Sequence, residues 1–63
     1  MKKEYMLCLH TCTITGNKSE IYALQEIGEK AAEKAEENNL DTNVFKEFCI
    51  TEAAHILNLK IEY

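Results

Sequence analysis

SEIYALQEIGEKAAEKAEE, residues 19–37, is the stretch from which the rest of the chain is read. Its apolar positions Ile21, Leu24, Gly28, Ala31 and Ala35 recur at spacings of 3, 4, 3 and 4, the period of one helix face. Glu26, Glu29, Lys30, Glu33, Lys34, Glu36 and Glu37 lie mostly elsewhere on the circumference. The spacing therefore predicts an amphipathic helix with a small-residue stripe on one side and an acidic face on the other. Just before it, Thr15-Gly16-Asn17-Lys18 is turn chemistry, because Gly16 and Asn17 both tolerate positive φ. Ser19 is the expected N-cap, with Glu20 placed favourably near the helix dipole. A competing reading turns a hairpin at Thr15 to Lys18 and runs Glu20 to Leu24 back as a strand.

On the N-terminal side, Tyr5 to Ile14 (YMLCLHTCTI) is rich in β-branched, aromatic and aliphatic residues, which predicts one long strand. Alternation puts Met6, Cys8, His10, Cys12 and Ile14 on one face and Tyr5, Leu7, Leu9, Thr11 and Thr13 on the other. On the C-terminal side, Asn38-Asn39 can close the helix, since Asn accepts the left-handed conformation. Asp41 then reads as the N-cap of a second helix, with Leu40 and Phe45 at the spacing of a hydrophobic staple. Its expected apolar face is Phe45, Phe48, Cys49, Ala53, Ile56 and Leu57, and it ends near Asn58. Within it, Phe48-Cys49-Ile50-Thr51 would also suit a strand. The tail Leu59-Lys60-Ile61-Glu62-Tyr63 alternates as a short strand with one face buried.

These elements make a small α+β domain over residues 1–63, in the order β-α-α-β. A helical hairpin packs on a short antiparallel sheet, with Phe45 and Phe48 filling the space beside Gly28, Ala31, Ala32 and Ala35. A long first strand beside a short last one leaves backbone groups unpaired. The expectation is a homodimer in which the first strand pairs with its copy, with Leu7 and Leu9 at the interface.

The size of the chain explains why a second copy is attractive. At 63 residues and 7.2 kDa, area scaling gives about 4,100 Å² of folded surface and roughly 60% burial on folding. That is a thin core, and small chains commonly supplement it with disulfides, a metal or self-association. The three cysteines are an odd number, and no apolar segment follows the basic start, so no signal peptide, membrane span or disulfide framework is expected. The expected location is the cytoplasm. Beginning at Met1 and lacking proline or low-complexity runs, the chain reads as a whole small gene product. Its ten Glu, seven Lys, six Ile and five Asn, with no Arg, lean toward AT-rich codons, a usage shared by many bacteria and their phages.

Three constellations bear on chemistry. Cys8, His10 and Cys12 are good zinc ligands within five residues. On an extended strand, however, Cys8 and Cys12 would lie about 13 Å apart, and all three could share an ion only in a loop. Cys49 and His55 sit six positions apart on the second helix, on opposite sides, so no direct thiol–imidazole pair forms there. No catalytic residue and no cofactor is expected, and the chain is read as a non-enzyme. The third constellation is the acidic helix face. Glu26→Lys30 is a favourable i,i+4 pair, but Glu29/Glu33, Glu33/Glu37 and Lys30/Lys34 are like-charged at that spacing. Such a strip is either plainly solvated or meets a basic surface on another protein, including one that normally holds nucleic acid.

Direct nucleic-acid binding is disfavoured by a net charge of −4, no Arg and scattered lysines. The sequence thus predicts a small acidic regulator or inhibitor, of phage or mobile-element type, that works by protein–protein contact through Glu29, Glu33, Glu36 and Glu37. Two alternatives stay open. One is a metal- or thiol-dependent domain using Cys8, His10 and Cys12, and the other is a subunit whose task is structural assembly.

Overall fold

A computed structural model describes residues 3–63. The order is β1 (Tyr5–Cys8), β2 (Thr13–Gly16), α1 (Lys18–Glu37), α2 (Thr42–Ile56) and β3 (Lys60–Glu62). The three strands form one antiparallel sheet in the order β1-β2-β3. The two helices pack against each other as a hairpin and lie on one face of the sheet, so the domain is α+β as the sequence predicts.

The predicted single strand from Tyr5 to Ile14 is instead a hairpin. β1 folds back on β2 with Cys8 opposite Thr13 and Leu7 opposite Ile14. The reversal falls at His10-Thr11, closed by the Leu9 N–H donating to the Cys12 carbonyl at 2.8 Å. Neither turn residue is a Gly, Asn or Pro, so the usual hairpin signal is missing. The turn is held from outside, because the Glu47 carboxylate on α2 accepts from the His10 N–H and from the Thr11 hydroxyl. This reversal also changes the faces. Leu7, Ile14 and Ile61 line up across the sheet beneath the helices, whereas Met6 and Cys8 point to the open side and stay exposed.

The N-cap of α1 lies two residues before Ser19. Asn17 is its N-cap and forms a reciprocal pair with Glu20. The Glu20 N–H donates to the Asn17 side chain at 2.8 Å, and the Asn17 N–H donates to the Glu20 carboxylate at 2.9 Å. Asn17 wins because a capping box needs an acceptor three positions on, and from Ser19 that position is Tyr22. The competing strand over Glu20 to Leu24 does not form. Both helices end in the same way. Asn39 (φ 56°) and Asn58 (φ 62°) take the left-handed conformation, and the next N–H groups, of Leu40 and Leu59, return to the carbonyls of Ala35 and Ala54. Asp41 caps α2 by accepting from the Val44 N–H at 3.1 Å.

The core is small. Cys12, Ile14, Ile21, Leu24, Ile50 and Ala54 are buried, with Leu7, Leu9, Ile27, Ala53, Leu59 and Ile61 packed around them. The α1 stripe Ile21, Leu24, Gly28, Ala31 and Ala35 is buried as its spacing predicts. The predicted face of α2 is not. Ile50 and Ala54 are its buried residues, and Phe48, Ile56 and Leu57 are exposed. The reason lies at Gly28, where a Cβ would stand 2.8 Å from Ile50 Cδ1 and 3.1 Å from Lys46 Cε. The space beside the small-residue stripe is thus filled by Ile50 and the Lys46 stem, and a phenylalanine ring is too wide for so close an approach.

Candidate functional site: the outer faces of the two helices

On α1, residues Tyr22, Glu26, Glu29 and Glu33 follow one another at spacings of 4, 3 and 4, which keeps them on one side of a helix. Glu36 and Glu37 continue that side, opposite the buried stripe, and all of these residues are exposed. The candidate residues Glu29, Glu33, Glu36 and Glu37 are therefore gathered on one solvent-facing surface of a 20-residue helix. Among the described residues the one ion pair within 4 Å is Lys60–Glu62, on β3. Among the described residues no α1 carboxylate lies within 4 Å of a lysine nitrogen, although Lys30 and Lys34 are on the same helix. Tyr22, also exposed, puts an aromatic ring at the N-terminal end of this surface, a position missed by a sequence reading that counted charges alone.

On α2 the side turned away from the core carries three large apolar residues beside the exposed Glu52 and His55. Val44, Phe48 and Ile56 are 67%, 60% and 81% exposed, and together with Glu52 they form one row at four-residue spacing. α2 contains two acids, and the other, Glu47, is turned to the β1–β2 hairpin. The sequence assigned Phe48 and Ile56 to the core, so this surface was hidden by a wrong choice of face. The available signal was that α2 is apolar around more than half its circumference, more than one core can use.

The cysteine–histidine constellation is divided by the hairpin. Residues 9–12 form a turn, so the extended-strand spacing of Cys8 and Cys12 does not apply, but the two thiols lie on different sides. Cys8 is exposed on the open face of the sheet, Cys12 is buried in the core, and His10 is exposed in the turn. Among the described residues no group of three or more His, Cys, Asp or Glu side chains is gathered to hold a metal ion. An open concavity of about 560 Å³ lies between the turn and the start of α2, with Cys8, His10, Asp41, Lys46 and Glu47 in its lining. Two of its acids already serve the fold, since Asp41 caps α2 and Glu47 holds the turn. Cys49 is half-buried, and exposed His55 has its Nε2 3.5 Å from the Tyr63 hydroxyl.

Leu7 and Leu9, the candidate dimer residues, are half-buried and packed on the chain's own core. β1 remains an edge strand of the sheet. Among the described residues no helix is long and apolar enough to cross a membrane.

No family model, curated protein or solved structure matches this chain.

Proposed function

We propose that this chain is a non-enzymatic, acidic protein-binding domain, a small regulator or inhibitor that acts in the cytoplasm by contact with a basic surface of another protein. A surface that normally holds nucleic acid has the required charge. The observation that carries this reading is the acidic outer face of α1, where Glu26, Glu29, Glu33, Glu36 and Glu37 are all exposed on one helix. The like-charged pairs Glu29/Glu33 and Glu33/Glu37 repel and do not help the helix, whereas against a basic partner they would speed association and set register. Tyr22, in line with the carboxylates, offers its ring face to a lysine or arginine of the partner. The commitment of Asp41 and Glu47 to structural hydrogen bonds supports the non-enzymatic part of the reading. The size, acidity and codon-biased composition suit a phage or mobile-element origin.

The test is capture of partners from bacterial lysate by the native chain and by a chain carrying Glu29→Lys and Glu33→Lys, with washes of rising NaCl. The native chain should hold one stoichiometric protein that is released as salt rises. The reversed chain should bind that same protein at least about tenfold more weakly. Equal capture by both chains would overturn the assignment to α1.

A further inference from the structure

We infer that the outer face of α2 is the seat of a second copy of this chain, and that two copies pair there through Val44, Phe48 and Ile56. The first argument is area. The folded chain exposes 4956 Å², against about 4,100 Å² expected for its mass. The excess, about 850 Å², belongs to the whole chain and shows that the fold has surface to lose to a copy on the scale of a standard interface, roughly 800 Å² per partner. The chain is also extended, with principal dimensions of 43 × 21 × 17 Å and a radius of gyration of 11.8 Å, against about 10.6 Å for a compact domain of this length.

The second argument is where the large apolar side chains went. Of the two phenylalanines, Phe48 is exposed and Phe45 half-buried, and the largest fully buried side chains are Ile14, Leu24 and Ile50. A chain with so thin a core leaves more apolar volume outside it than solvation favours. The third argument is charge, which separates the two helix faces as seats for a copy. Five carboxylates on α1 would meet five more, but the α2 row holds one acid, Glu52. Val44, Phe48, Glu52 and Ile56 form an i, i+4, i+8, i+12 ridge, the kind that packs into the matching groove of an identical helix. A two-fold axis near the middle of the row sets Val44 of one copy against Ile56 of the other, and Phe48 against the apolar stem of Glu52. The two Glu52 carboxylates then sit on either side of the axis without facing each other. This pairing differs from extension of the sheet through β1, whose edge it leaves free.

The experiment is sedimentation equilibrium of the full chain over about 1–200 µM, beside a variant with Phe48→Glu and Val44→Glu. Both replaced side chains are solvent-facing in the single chain, and circular dichroism checks that helix content is kept. The native chain should reach twice the 7.2 kDa mass within this range. The variant should remain at one chain mass, its dissociation constant raised by at least about thirtyfold, the loss of a single interface hot spot. Should the double variant not fold, Ile56→Lys alone gives the same readout. A native chain that stays at one mass throughout would overturn the inference. So would a dimer unaffected by these changes, which would place the contact elsewhere, at the β1 edge for example.

Discussion

Along α1 the side facing away from the core carries Glu26, Glu29, Glu33, Glu36 and Glu37, whereas the corresponding side of α2 carries Val44, Phe48 and Ile56. Both sides are exposed and both belong to helices that share one core. They differ in reach. Charge acts over several ångströms of water and is screened by salt, while apolar surface acts only on contact and is not weakened by salt. The two proposals rest on that difference: α1 would attract a basic partner from a distance, and α2 would hold a copy of the chain once touching.

Three substitutions act on this contrast with effects of decreasing size. Leu24 is fully buried on α1 at the junction of helices and sheet. Leu24→Ala should cost about 3 kcal/mol, a large part of the roughly 3–9 kcal/mol available to a domain of this length. In urea unfolding followed by circular dichroism, the midpoint should collapse, and both surfaces should be lost together because they share that core.

Glu47→Ala is more selective. It removes the acceptor for the His10 N–H and the Thr11 hydroxyl, and should cost about 1.5 kcal/mol, near the lower end for hydrogen bonds to a charged group because the site is partly exposed. Amide hydrogen exchange should speed up at Leu9 and His10 and stay slow in the middle of α1. Unchanged exchange at Leu9 and His10 would mean that the turn does not depend on this contact. The smallest effect is expected for Asn17→Ala, about 1 kcal/mol from the loss of an N-cap. The first turn of α1 around Tyr22 should fray, measurable as faster exchange at Glu20 and Ile21, while the apolar row of α2 is undisturbed.

Legibility in the sequence follows how locally each element is specified. α1 was readable because its period, its buried stripe and its closing asparagines all lie within about twenty residues. Even its start was mistaken by only two positions, since Ser19 and Asn17 are both N-cap residues and only the reciprocal bond to Glu20 distinguishes them. The hairpin was not readable, because the group that holds its turn, Glu47, is 37 residues away from His10. The burial of α2 failed for a related reason. Which of its apolar sides is covered depends on the missing side chain at Gly28, which admits Ile50 and not an aromatic ring. The placement of the glutamates on one exposed side was legible, because charge on a regular helix needs only the period to be placed, whereas Tyr22 beside them was not. The apolar surface was visible in the residues and assigned to the wrong side.

The claim that the two faces work separately is tested most directly by sedimentation velocity of the chain together with its captured partner, at NaCl concentrations from about 50 to 500 mM, where the screening length shortens from about 14 to about 4 Å. The prediction is that the partner leaves the complex as salt rises while the two-chain species persists. A two-chain species that dissociates in step with the partner, or a partner that stays bound at the highest salt, would contradict it.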